Sequence, residues 1–336
     1  MGNKLDQIIA LAEREAGGNS RLYNTVVKEG LHRDILSCMA QSGLSREVVF
    51  QGGTALRLCY NNNRYSEDLD FVAAEPVSDS AIDRFKTLLS NLIENDYSAE
   101  VEFKDPKEPQ GPANATGIEV RRWSVKIGLD NLPGSTKTKQ LIHVEVAEGI
   151  PALDAKPRAI KQFTAQPLQA VAPIVLQVSS TQEILADKMV ALIGREYLKA
   201  RDIWDIKFLL DNNTAVNEDW IIEKCKHYSI ANDPKQIASK LRDKASELSL
   251  EESSTNFKKE MSRFLGKEQA NIWLEQPFGA EAILMEVSES VEKVAEMVTA
   301  KSVDSPSDTV NTLQDRLQKW RQHHGADQGS QEPTLK

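Results

Sequence analysis

Cysteine is scarce. Cys38, Cys59 and Cys225 are the only three, an odd number, widely separated and without a C-x-x-C spacing. A disulfide framework and a cysteine zinc site are therefore both excluded as organising devices, leaving buried small hydrophobes as the reading. The five histidines include no H-E-x-x-H, which argues against a zinc hydrolase. No run approaches the roughly eighteen apolar residues that cross a bilayer, so no membrane partner is expected. The opening MGNKLDQIIALAEREAGG reads as an amphipathic helix and lacks the basic start and cleavage site of a secretory signal. The expected compartment is the cytoplasm. No internal repeat interrupts this picture.

What is present suits a globular protein large enough for two cores: 336 residues, 40% hydrophobic and 27% charged. A formal charge of −9 argues against indiscriminate nucleic-acid binding. The charge is uneven, because residues 121–210 carry 13 basic against 9 acidic residues while both flanks are acidic. A local excess of that size suits either a polyphosphate or RNA site or an ordinary solvated face.

Helical spacing covers residues 4–16, about 21–42 and 78–95, with Ile82, Phe85, Leu88, Leu89 and Ile93 on one side of the last. Strands are expected at Val48–Gln51, over SEDLDFVA, AEVEFK, GIEVRRWSVKIGL and LIHVEVA, with Pro/Gly/Asn-rich turns between the later ones. Residues 151–176 read as an irregular connection. From Thr181 the pattern is helical: 181–199, 201–211, 217–228, 234–248, about 254–274 and 278–302. The tail from residue 303 has the composition of a disordered segment, with Val310, Leu313, Leu317 and Trp320 on one helical face.

One stretch carries chemistry. VVFQGGTALRLCYNNNRYSEDLDF runs from a strand through Gly52-Gly53 into a helix at Thr54, then through a loop into Asp68-Leu69-Asp70-Phe71. Alternation along a strand points both carboxylates one way and Leu69 and Phe71 the other. Like charges so close are costly unless a cation sits between them, and Mg²⁺ prefers carboxylate oxygen completed by phosphate and water. The glycines admit close backbone approach, and a helix start offers amides to an anion. Alone, each fragment has a bland reading: D-x-D as an edge charge pair, GGT as a tight turn. Their order is more restrictive.

That order, G-G-T-A-L-R-L followed by R-Y-S-E-D-L-D-F, resembles the AbiEii/AbiGii toxin family of the nucleotidyltransferase superfamily. The resemblance covers roughly residues 30–215 and implies an α+β fold: a DNA-polymerase-β-like core of mixed or antiparallel sheet with flanking helices over residues 1–175, then an all-helical domain over 176–302 and the tail 303–336. It implies one or two Mg²⁺ ions, or Mn²⁺, on Asp68 and Asp70. A third acid is usual on a neighbouring strand. In LIHVEVAEG, Ile142, Val144 and Val146 form the core face and Glu145 faces the other way, which makes it the candidate; a solvent-facing glutamate is the competing reading. His143 stands where relatives tend to carry a basic residue.

Nucleotide contacts are expected from Gly52, Gly53, Thr54 and Ser66, and from Arg57 and Arg64, whose guanidinium forks suit triphosphate oxygens. Lys188 falls midway between Ile184 and Leu192 on an apolar stripe, where it must snorkel or reach a buried anion. Asp202 lies likewise between Ile206 and Leu209. Both match the family's Lys and Arg-Asp-x-x-Asp pattern, which implies phosphate contact for Lys188 and a place near the attacking hydroxyl for Asp202. A buried Lys188–Asp202 ion pair is the structural alternative. Asp205 is expected to orient Asp202 or pair with Arg201. By resemblance the protein transfers NMP from an NTP to a hydroxyl, a tRNA 3′ end being the implied acceptor, as the toxin of a type IV toxin–antitoxin or phage-defence pair whose antitoxin need not touch it. Transfer to a protein or small molecule, and NTP binding without turnover, are the alternatives.

Overall fold

Helix α1 (Lys4–Ala16) and helix α2 (Ser20–Ser42) form where the helical spacing places them. Asn19 caps α2 through its side chain, which accepts from the amides of Arg21 and Leu22, and Gly43 ends it in the left-handed conformation at φ 88°. The computed structural model describes residues 4–106, 119–129, 139–161 and 173–301. Among them seven strands make one mixed sheet in the order β3-β4-β5-β2-β1-β7-β6. The strands are β1 (Val49–Gln51), β2 (Leu69–Ala73), β3 (Val101–Lys104), β4 (Glu119–Gly128), β5 (Lys139–Glu148), β6 (Ala155–Ala159) and β7 (Val175–Ser179).

Strand β2 sets the neighbours of Asp70. It runs antiparallel to β1, with Gln51 opposite Asp70, and parallel to β5, with Asp70 opposite Glu145. Strand β5 runs antiparallel to β4 over its whole length, Glu145 facing Arg122 and Ala147 facing Val120. One face of this arch is apolar: Trp123, Val125, Ile127, Ile142, Val144 and Val146 are buried, and α2 and α4 (Asp79–Tyr97) pack beneath them. The other face carries Asp70, Glu145, Arg122 and Val120. Period-two alternation thus separates core from chemistry on the same three strands.

The helical part consists of α5 (Thr181–Gly194), α6 (Ala200–Asp211), α7 (Glu218–His227), α8 (Pro234–Leu248), α9 (Glu251–Met261), α10 (Lys267–Trp273) and α11 (Gly279–Lys301). Short α3 (Gly52–Tyr60) touches β1, β2, α5 and α6, and so joins the sheet to these helices. The architecture is the expected α+β sheet with flanking helices followed by helices. Among the described residues no helix is long and apolar enough to cross a membrane.

Three expectations need correction. The helix expected over 254–274 is two, because Leu265 bridges to Arg64 and the Phe264 carbonyl accepts the Tyr65 amide at 2.7 Å. The helix expected over 181–199 ends at Gly194, and α6 starts afresh at Ala200. Residues 151–176 hold strand β6, antiparallel to β7 at the sheet's edge, and β7 itself opens at Val175, so the sheet runs on past that residue. Every residue of β6 is exposed, so it has no apolar alternation to detect, and Pro157 is tolerated where no central ladder bond is needed. The turns at 107–118 and 130–138 and the tail helix around Val310–Trp320 lie outside the described residues.

A buried histidine ties α2 to the loop before β2. His32 is fully buried, its Nε2 faces the Glu67 carbonyl at 3.0 Å, and its Nδ1 has no hydrogen-bond partner among the described residues. Burial, against the hydrogen bond to Glu67 and aided by Lys28 and Arg33, lowers its pKa from 6.5 to about 3. The unfolded chain then takes up a proton near pH 6.5 that the folded chain refuses, so stability falls as pH drops from 6.5 toward 3. The expected loss by pH 4.5 is about 2–3 kcal/mol at ~1.4 kcal/mol per pH unit. His32→Gln removes that part of the slope; urea unfolding at pH 7 and pH 4.5 measures it, and an unchanged slope in the variant rejects it.

Candidate active site

The two aspartates are supported differently: Asp70 lines a cavity, and Asp68 acts on Asp70 as a neighbouring charge. Asp70 sits on β2, half-buried between buried Leu69 and Phe71. Asp68 lies one residue before the strand, where its carbonyl accepts the Thr54 hydroxyl. The loop leading there is held throughout: Arg64 by Asp205, Tyr65 by Phe264 and Glu67 by His32.

Asp70 is the electrostatically costly member. Burial, then the Glu145 and Asp68 carboxylates, push its pKa from 3.8 up to about 6, although Lys188 and Arg201 pull the other way. Beside it Gly52 adopts φ 76°, and a methyl group there would lie 2.7 Å from Asp70 Oδ2. Gly52 is thus glycine for two reasons, backbone conformation and room for the carboxylate. Gly53 is glycine for a third: a methyl group on it would overlap the Arg64 guanidinium. No side chain caps the start of α3. Glu145 is held by Arg122 at 2.7 Å, with the arginine 58% exposed and therefore free to exchange partners.

Opposite the carboxylates, α5 and α6 present an ion-pair chain. Lys188 Nζ meets Asp202 Oδ1 and Asp205 Oδ2, each at 2.8 Å, and Arg195 reaches Asp202. Asp205 also takes a two-pronged bond from Arg64, at 2.6 Å to each oxygen, and one from Asn62 at 2.8 Å. Burial works to raise the Asp205 pKa, but Arg64 and Lys188 bring it down to about 2. Burial, helped by Arg64, holds the Lys188 ammonium below the usual lysine range despite Asp205 and Asp70.

A cavity of about 500 Å³ separates these groups, lined at its polar end by Gly52, Asp70, Glu145, Lys188, Arg195 and Asp202. Of four residues expected at the nucleotide, three are engaged by protein groups and the fourth, Ser66, is buried. Arg64 is 2% exposed and committed to Asp205. Arg57 pairs with Glu29 at 2.8 Å, stacks over Tyr65 and lines a separate cavity of about 300 Å³. Thr54 is fully buried, its hydroxyl spent on Asp68; Ser66 is buried in the same loop. Asp205 pairs with Arg64 and Lys188, while Arg201 faces Glu260 at 3.7 Å. Arg122 gives no signal in the sequence, because the strand register that sets it beside Glu145 is not written in composition.

Among the described residues no three His, Cys, Asp or Glu side chains gather closely enough to bind an ion by themselves. The donor set nevertheless fits Mg²⁺, which is commonly held by one or two carboxylates with phosphate and water completing the shell. Burial and the neighbouring Glu145 and Asp68 carboxylates raise the Asp70 pKa, a cost that a bound cation would offset.

Comparison with known proteins supplies the family. No curated protein matches the chain. Among solved structures, MenT4, a nucleotidyltransferase toxin from Mycobacterium tuberculosis H37Rv, is similar at 16% identity, covering 95% of this chain and 96% of its own, with a TM-score of 0.48. JHP933 from Helicobacter pylori is similar at 16% identity, covering 88% and 97%, with a TM-score of 0.40. The family described as nucleotidyl transferase AbiEii toxin, type IV TA system, matches residues 34–284. That match spans most of the chain and takes in every element around the cavity, so the chain belongs to the AbiEii family of type IV toxin–antitoxin systems and is a nucleotidyltransferase.

Proposed function

We propose that the protein transfers NMP from an NTP to an acceptor hydroxyl in a Mg²⁺-dependent reaction, the acceptor being a tRNA 3′ end, and that this transfer inhibits growth as the toxin of a type IV toxin–antitoxin or phage-defence pair. The observation that supports it most is Asp70 in register with Glu145, next to Asp68 and across one cavity from the Lys188–Asp202 pair. Asp68 and Asp70 would hold the ion, which when bound neutralises triphosphate charge. Since Thr54, Arg57 and Arg64 are engaged by protein groups, phosphate contacts fall to the uncapped start of α3 at Gly52-Gly53, to Lys188 and to Arg195. Asp202 keeps Lys188 and Arg195 turned to the cavity. Glu145, released by Arg122, receives the proton as the hydroxyl oxygen bonds to the α-phosphorus and the bond to the pyrophosphate leaving group breaks. Placement and charge neutralisation supply most of the rate, as in other phosphoryl transfers.

Incubation of pure protein with each α-³²P NTP and total tRNA tests this. Label is expected in RNA, only with Mg²⁺ present, and not with Asp70→Ala or Lys188→Ala. In a bacterial host the same variants, at equal protein level, should restore growth. The overall charge of −9 favours a protein or small acceptor over RNA, and label appearing in those fractions would replace the tRNA reading.

A further inference from the structure

The second cavity, of about 300 Å³, shares no described lining residue with the first; α3 lends Gly52 to one and Arg57 to the other. Its wall is charged. Arg33 on α2 and Arg57 are both largely buried and share one carboxylate, Glu29, which Arg57 Nε meets at 2.8 Å and Arg33 Nη2 at 3.9 Å. A single carboxylate cannot neutralise two guanidiniums, which do not give up their protons. Burial, reinforced by the like charge of Arg57, holds the Arg33 pKa below the usual arginine range although Glu29 pulls the other way.

Lys161, just after β6, adds a third cation to the same lining. Its backbone is fixed, the amide donating to the Leu58 carbonyl at 2.9 Å and the carbonyl accepting Arg33 Nε at 2.6 Å. Its ammonium has no partner among the described residues. Of the other charged lining groups, Arg14 and Glu15 pair with each other at 3.3 Å and Glu268 is exposed to water. Positive charge is therefore left over where Arg33, Arg57 and Lys161 converge. The volume lies at the lower end of the range for small-molecule sites, enough for an oxyanion with a short organic stem. A phosphate group, with close to two negative charges near pH 7 and oxygens that match guanidinium and ammonium donors, answers both the charge and the size.

We propose that this cavity is a phosphate site separate from the active site, taking inorganic phosphate or the phosphate of a small monoester. Lys161 and Arg33 contact its oxygens, while Arg57, fixed by Glu29 and stacked over Tyr65, supplies charge from behind. A mere structural brace of Arg33, Glu29 and Arg57 would bind no anion.

The test is calorimetric titration of inorganic phosphate and of glycerol 3-phosphate, in chelator and without NTP, into wild-type protein, Lys161→Ala, Arg33→Gln and Lys188→Ala. Wild-type protein should bind with a Kd below about 1 mM. Lys161→Ala should weaken binding about tenfold, the loss of one charge-assisted contact, and Arg33→Gln at least as much. Lys161 is exposed, so its substitution leaves the fold intact and decides the matter even if Arg33→Gln folds poorly; melting temperatures confirm this. Lys188→Ala, which alters the other cavity, should leave the affinity unchanged. Tighter binding of the ester would give the organic stem a place in the cavity, and equal binding would assign the site to inorganic phosphate. No saturable binding below about 10 mM, or binding lost in Lys188→Ala and kept in Lys161→Ala, overturns the proposal.

Discussion

Asp70→Asn is expected to lose nucleotidyl transfer by at least about 10³-fold, some 4 kcal/mol of transition-state stabilisation, while the metal-free protein becomes more stable at pH 8. The two effects have one cause. Asp70 is crowded by burial and by Glu145 and Asp68, so its folded pKa of about 6 lies above the 3.8 of the unfolded chain. The folded state therefore binds that proton more tightly than the unfolded one, and this group's contribution to stability falls as pH rises from about 4 to 6. A difference near two units corresponds to a cost of roughly 3 kcal/mol above pH 6. The amide carries no charge to repel, so the melting temperature in chelator at pH 8 should rise by about 2–5 °C. At pH 4, where the aspartate is protonated, the two proteins should melt alike. Added Mg²⁺ and NTP should stabilise the wild type alone. A variant less stable at pH 8, or one that retains turnover, would show that the carboxylate is a structural partner rather than a charge held in reserve for substrate.

The same residues show what a sequence exposes and what it hides. Asp70 and Glu145 sit on strands whose apolar neighbours alternate, so period-two logic puts both on the uncovered face, and observed burial agrees with it: Leu69 and Phe71 in, Val144 and Val146 in. The Gly52-Gly53 pair was legible as a close approach, but the approaching groups are side chains of this chain, Asp70 and Arg64. Arg64 meets Asp205 across 141 positions, a separation over which periodicity is silent. Strand β6 was hidden because both of its faces are wet, and the break between α9 and α10 because the bridge from Leu265 to Arg64 is distant in sequence and a single Gly266 does not announce it. The active-site cavity's Val120, Tyr228 and Ile230 gave no signal, since a lining position is fixed by register and by where a helix ends.

Asp205→Ala should cost about 3–5 kcal/mol of folding stability, because it strands the Arg64 guanidinium, only 2% exposed, without a carboxylate partner. The double variant Arg64→Met with Asp205→Ala should recover a large part of that loss, since no uncompensated guanidinium remains and Lys188 keeps Asp202 at 2.8 Å. Urea unfolding of the single and double variants gives the coupling, expected to exceed about 2 kcal/mol for groups sharing one network. The pair's own pH signature has the opposite sign to that of Asp70: with Asp205 held at about 2, its stabilisation is complete above the unfolded value of 3.8 and disappears as pH falls through 2. Turnover should suffer for a geometric reason. Lys188 is turned to the cavity by two carboxylates, and the double variant leaves it one, so it should fold yet transfer nucleotide at least about tenfold more slowly, a change of ~1.4 kcal/mol. Near-additive single losses would mean that Arg64 and Asp205 are not coupled. A folded double variant with full activity would separate this ion pair from catalysis and confine it to joining α3 and its loop to α6.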